Sequence, residues 1–228
     1  MTLQTQRISA ITVDSYSTLL DVDSAAGALN GIVADSARVA AAWRQQSLIY
    51  ATTCNFIGHY RTFYELNRAA LVYALAREGL RPAAPDVDRV LAIYHDLQPF
   101  GDVRTGIAKL RDMGYPVWVV SNGDPDMLQS LVRDAHIEDV VSGIVSAHEI
   151  RRYKPAAEIY QHAARRIGQP TWALAHASAA WFDVAGAMHA GMQGVWMNRK
   201  DEPAEVFGPF PPPDLTVSGF NQLIAALD

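Results

Sequence analysis

Pro116-Val117-Trp118-Val119-Val120 is a short β-branched and aromatic run that passes directly into Ser121-Asn122-Gly123 and then Asp124-Pro125. A run of this length suits one buried strand. The polar triplet is turn chemistry, and Asp124 followed by proline reads as a helix N-cap with proline at the first helical position. Apolar residues then recur at helical spacing through Met127, Leu128, Leu131, Val132 and Ala135. The same strand-to-helix texture continues downstream, with Val140–Val145, Trp172–Ala177 and Gly194–Met197 as strand candidates. Ser146 with Glu149 spells a capping box, and Gly114, Gly168 and Gly191 stand where helices should stop. Alternation of this kind predicts a parallel sheet with helices on both faces.

Toward the N-terminus the pattern changes. Ile8–Asp14 is one strand, and after it no strand-like run appears until about Gln98. Val39, Trp43, Tyr50 and Ile57 recur at helical spacing, as do Phe63, Leu66, Ala70, Leu71 and Ala74 before Gly79. Asp86 is expected to cap a third helix carried by Val87, Val90, Leu91, Tyr94 and Leu97. The fold class is therefore α/β: a Rossmann-like parallel sheet core, residues 1–22 and 99–228, with an all-helical cap, residues 23–98, inserted after the first strand. Pro203–Pro213 reads as a loop before a last short strand and helix near Leu215–Leu227. No internal repeat is present.

Composition bounds the function. The chain has 228 residues, half of them apolar, enough to bury a sizeable core. Its net charge is −5 and no basic run is long enough to follow a phosphate backbone, so nucleic acid is not an expected partner. The single cysteine, Cys54, excludes an intramolecular disulfide and fits a reducing compartment. The stretch Met1–Ala10 is mostly polar, unlike a signal peptide, and no segment approaches 18 consecutive apolar residues. A cytoplasmic protein with no membrane partner is expected.

In an open parallel sheet, ligands bind beyond the carboxyl ends of the strands. That rule selects Asp14 and the following Ser15-Tyr16-Ser17-Thr18-Leu19, then Ser121-Asn122-Gly123, then Lys154-Pro155, then Ser178 and Asp183. A carboxylate, a hydroxyl–amide pair, a lysine and a second acid fall at one edge. Only three of the 19 basic residues are lysines, so Lys154 beside a strand end is not the compositional default.

In that order, the Asp-x-Tyr-x-Thr-Leu opening, Ser121-Asn122-Gly123, Lys154-Pro155 and the final acid resemble the haloacid dehalogenase superfamily of aspartate-nucleophile hydrolases. Trp43-Arg44-Gln45-Gln46, followed by Leu48 and Tyr50, is similar to its L-2-haloacid dehalogenases of type II. The resemblance implies a hydrolase that needs no cofactor and no metal, acting on a small 2-haloacid and releasing halide. Asp14 would displace halide from C2 to form an aspartyl ester, which water then hydrolyses. Arg44 and Asn122 would receive the halide, and Ser121 and Lys154 would hold the substrate carboxylate. Tyr16, Gln45, Leu48, Phe63 and Phe182 match the family's pocket wall. Thr18, Tyr160, Ser178 and Asp183 match its remaining polar positions, with Asp183 orienting Lys154 and the hydrolytic water. The resemblance also suggests a homodimer through the helical insert.

Three positions depart from that pattern. Ser17 replaces a usual glycine, Ala180 an asparagine near the water site, and Phe182 a tryptophan. Three rival functions stay open. A magnesium-dependent phosphatase of the same superfamily would carry a second aspartate two positions after the nucleophile, where this chain has Tyr16, and a further acid beside Asp183. A related hydrolase could expel another C2 substituent, fluoride included. A non-catalytic small-molecule binder would keep the cleft without the ester. His136, His148, His162 and His189 lack carboxylate or cysteine partners at metal-ligand spacing, and His176 reads as a packed strand residue.

Overall fold

The apolar run Ala10-Ile11-Thr12-Val13 is buried along its whole length, as expected of a strand covered on both faces. In the computed structural model, which describes residues 3–95 and 97–228, it forms β1 (Ala10–Val13) of a six-stranded sheet. The others are β2 (Val117–Ser121), β3 (Gly143–Ser146), β4 (Leu174–Ser178), β5 (Gln193–Met197) and β6 (Leu215–Val217). Every adjacent pair is parallel, in the order β3-β2-β1-β4-β5-β6. Residues 1, 2 and 96, which fall within the ranges expected for core and insert, lie outside the described residues.

Between β1 and β2 the chain forms α1 (Ser36–Ile57), α2 (Phe63–Arg77) and α3 (Ala84–Leu91), with 3₁₀ stretches at Val22–Leu29 and Ala92–His95. After β1 the sheet is extended to one side, through α4 (Val103–Asp112), β2, α5 (Pro125–Asp134) and β3. It then reverses through α6 (Ala157–Ile167) to β4 and continues through α7 (Trp181–His189) to β5, β6 and α8 (Phe220–Leu227). Because parallel crossovers are right-handed, reversing direction moves the helices to the opposite face. Accordingly α4 packs on α8, and α6 on α7. The reversal point lies between β1 and β4, and the crevice beyond their carboxyl ends holds Asp14 and Ser178.

Side-chain capping explains the insert. Asp35 accepts from Arg38 N at the start of α1, and Gly58 at φ 67° ends it. Thr62 and Glu65 form a reciprocal capping box on α2. Trp43, fully buried, donates from Nε1 to Asn67 O at 2.8 Å and ties α1 to α2.

Local departures from expectation have local causes. Val140 and Val141 donate back to Ile137 O, so β3 starts only at Gly143 and runs through Ser146. Trp172 sits in a 3₁₀ turn, and β4 begins at Leu174. α3 starts at Ala84 because Pro85 suits a first turn, so Asp86 is not its cap and instead meets Arg89 at 2.7 Å. The capping box at Ser146 forms, but opens only a 3₁₀ turn, Ala147–Glu149. Asp124 precedes α5 as expected, yet its carboxylate serves a different helix. It accepts from Phe63 N at 3.1 Å and Tyr64 N at 2.8 Å at the start of α2. With Asn55 bonded to both backbone groups of Tyr153 at 2.7 and 3.0 Å, this fastens the insert above the crevice.

Candidate active site

Asp14 follows β1 directly, its N–H donating to Ala177 O of β4 at 2.9 Å. Its Oδ1 lies 2.9 Å from Lys154 Nζ, and its Oδ2 accepts from Thr18 Oγ1 at 3.2 Å. Lys154 Nζ also donates to Asp183 Oδ2 at 2.9 Å. Tyr160 of α6 donates its hydroxyl to Asp183 Oδ1 at 2.6 Å. Ser178 and Thr18 accept the N–H groups of Ala180 and Ala179, shaping the turn that presents Asp183 in the first turn of α7.

Asp14, Lys154 and Asp183 are all buried. Burial alone would raise the pKa of Asp183, but the Lys154 ammonium, followed by His176 and the Tyr160 hydroxyl, holds it well below the carboxylate range. Burial likewise opposes charge on Lys154, and Asp14 and Asp183 overcome it, so its pKa is raised. Burial and the adjacent Asp183 push Tyr160 well up, which keeps its phenol a donor.

Above the carboxylates lies a cavity of about 40 Å³. Its roof comes from α1, where Arg44, Ser47 and Leu48 share one helix face by their spacing. Tyr16 stacks on Phe63 and packs at a tilt against Tyr94, with ring centroids at 5.9 and 5.7 Å, and forms the apolar side with them. Asn122, Ala180 and Phe182 complete the wall. Arg44 is half-buried and forms no salt bridge among the described residues. Asn122 accepts from Lys154 N at 2.8 Å through Oδ1, which fixes the loop carrying the lysine.

Most sequence-selected residues therefore converge, and two do not. Gln45 is exposed and lines an outer cleft of about 570 Å³, which meets the inner cavity at Arg44, Leu48, Ala180 and Phe182. Helical spacing explains this, since the residue after Arg44 turns about 100° away. Ser121 is fully buried, with its Oγ 2.6 Å from Ser15 Oγ and accepting from Gly123 N. It shapes the turn and does not line the cavity. Ser17 has φ 69°, the left-handed conformation that explains why glycine would be easier there. Sequence reasoning passed over Ser47, Tyr94 and the contact of His176 with Asp183. Ser47 was recoverable as the residue three after Arg44, whereas nothing in the apolar pattern around Tyr94 distinguished it.

A haloacid dehalogenase-like hydrolase family model matches residues 8–191. (S)-2-haloacid dehalogenase 4A of Burkholderia cepacia is 34% identical over 200 residues, covering 87% of this chain and 86% of the relative. A solved dehalogenase with an intermediate complex superposes with a TM-score of 0.88 at 31% identity, covering 95% of this chain and 96% of its own. The L-2-haloacid dehalogenase of Xanthobacter autotrophicus, solved with chloropropionic acid covalently bound, gives a TM-score of 0.87 at 27% identity, covering 96% and 97%.

Proposed function

The chain belongs to the haloacid dehalogenase-like hydrolases, and on that premise we propose that it hydrolyses short L-2-haloalkanoic acids to D-2-hydroxy acids. One observation carries the reading: an ion-paired carboxylate, Asp14, faces a small chamber whose roof holds Arg44, a guanidinium without an acid partner among the described residues. A carboxylate nucleophile and a pre-aimed cation for the leaving anion are what a displacement of halide needs.

Asp14 attacks C2 opposite the halogen, the carbon–halogen bond breaks, and the halide leaves with its electron pair toward Arg44 and the Asn122 amide. Attack from behind inverts C2. Lys154 spends two ammonium protons on Asp14 and Asp183, and its third donates to the substrate carboxylate. Ser121, whose hydroxyl is already engaged, supports the turn instead. Water oriented by Asp183 then adds to Cγ of the Asp14 ester. The Cγ–ester oxygen bond breaks, the hydroxy acid departs, and one proton leaves the site. Residues 23–98 act as a cap domain, and Leu48, Phe63 and Phe182 fit a short carbon chain.

The donor set does not fit a magnesium ion. Lys154 Nζ already lies 2.9 Å from both carboxylates, so a dication between them would face an ammonium. Chloride release from L-2-chloropropionate, undiminished by chelator and absent with the D isomer, is the expected result. Phosphate-ester cleavage lost on chelation would favour the phosphatase instead. Release from fluoro acids alone would assign another leaving group, and tight binding without release would leave a non-catalytic binder.

The outward face of α1 carries Ile49, Phe56 and Ile57, with Phe56 85% exposed. Contiguous apolar surface of this kind supports a homodimer through α1. Light scattering after gel filtration should give twice the chain mass, and Phe56→Asp should yield a monomer with its fold retained; a monomeric wild type would sink the dimer. No helix among the described residues is long and apolar enough to cross a membrane, and the free thiol of Cys54 suits a reducing cytoplasm.

A further inference from the structure

His176 is fully buried at the centre of β4, and the mechanism above gives it no task. Its Nε2 lies 3.1 Å from Asp183 Oδ2, the oxygen that also accepts from Lys154. Its Nδ1 lies 2.8 Å from the hydroxyl of Thr12, its cross-strand partner on β1. These contacts leave one consistent arrangement at the carboxylate. Asp183 is ionised and only accepts, so Nε2 carries the proton that donates to it. The Thr12 hydroxyl, which also lies 3.3 Å from Ala175 O, makes its shorter contact with Nδ1, and turning its one proton there matches the tautomer with the proton on Nε2.

We propose that His176 is a positioning residue that holds Asp183 ionised and aimed for the ester-hydrolysis step, with Thr12 setting its tautomer. This rests on the dehalogenase reading above. The groups facing Asp183 are few: Lys154, with Asp14 beyond it, from the loop after β3; Tyr160 from α6; and His176 from β4. Among the described residues Tyr160 alone donates to Oδ1, whereas Lys154 and His176 share Oδ2. Lys154 moves its allegiance when Asp14 becomes an uncharged ester, because one of its two carboxylate partners is then gone. Of the two donors on Oδ2, His176 is the one whose partner does not change through the cycle, so it keeps that oxygen in place while water adds to the ester.

The test separates the two half-reactions. In H176F the first turnover should release halide at the wild-type rate, while steady-state kcat falls about 10-fold to 100-fold, the size of one hydrogen bond to a charged group. Ester should accumulate on the peptide bearing Asp14, visible by mass spectrometry. Without its donor, Asp183 protonates more readily, so the acid limb of ester hydrolysis should move up by about 1 to 2 pH units. H176Q, whose amide nitrogen stands where Nε2 stood, should recover most of the loss and return the limb. An H176F enzyme with unchanged kcat and unchanged limb, or one losing burst and steady state equally, overturns the assignment. Should H176F not fold, Thr12→Val removes the tautomer's partner at constant shape. It should shift the limb the same way by less, and an unmoved limb there overturns the proposal. A wild type that releases no halide at all fails on the function and not on His176.

Discussion

Exchanging Asp14 for asparagine should lower halide release by a factor on the order of 10⁴ to 10⁶, the scale seen when a covalent nucleophile or its partner is removed. The amide preserves the shape of the side chain and an oxygen that can face Lys154 or Thr18. It removes the ionised oxygen that must bond to C2. The variant should fold, because the wild-type cluster holds two carboxylates against one ammonium and the change removes one of the like charges. A halide electrode measures the loss, and a single turnover in heavy-oxygen water identifies its cause. In the wild type the label should enter the Asp14 side chain before the product. A D14N enzyme within tenfold of wild type, or label appearing first in the hydroxy acid, would remove Asp14 from the role of nucleophile.

The Lys154→Met exchange should cost about 3–5 kcal/mol of stability, because it leaves Asp14 and Asp183 buried without their shared cation. For a chain of this size that corresponds to a fall in Tm of about 6–20 °C. The pH dependence follows from the two shifts. Lys154 has its pKa raised in the folded state, so its contribution is complete below the ordinary ammonium range and fades as pH rises through and beyond it. Asp183 is depressed, so its contribution is present above the ordinary carboxylate range and fades as pH falls through and below it. The stability gap between wild type and K154M should therefore be widest near neutral pH and narrow in acid. In the variant Asp183 accepts a proton more readily, which relieves the unpaired charge. Urea titrations at neutral and acid pH measure this, and a gap under about 1 kcal/mol, typical of exposed pairs such as Arg68–Asp88, would show that the triad is not a buried ion cluster.

Much of this was legible in the sequence because the signals were local. Strand ends, caps and glycine stops are decided within a few residues, so β1, β2 and β5 fall within two residues of their expected positions and the helical insert stands where the strands lapse. Val140 and Val141 misled because β-branched residues suit a turn's packing as well as a strand. Asp124 misled differently. Its position as an N-cap is local, but the choice of which N–H groups its carboxylate accepts belongs to tertiary structure, and α2 competes successfully. At the site, order along the chain selected Asp14, Lys154 and Asp183, since each follows a strand. Gln45 and Ser121 were near the right places and faced the wrong way. His176 was read as a packed strand residue, and its contact with Asp183 was missed because that comes from a register that sets Thr12 beside it and from an acid seven residues away on α7.

The chamber above Asp14 has a consequence for the timing of events. At about 40 Å³ it offers space for about three water molecules. An acid anion lodged there displaces that solvent, so the molecule that later cleaves the ester is a latecomer and not a bystander waiting beside the substrate. A departing halide would vacate the space it needs, and the rim shared with the outer cleft at Arg44, Leu48, Ala180 and Phe182 is a doorway open to both. Dissolved chloride re-entering by that doorway should thus compete with the incoming water, making the product salt an inhibitor of the second half-cycle.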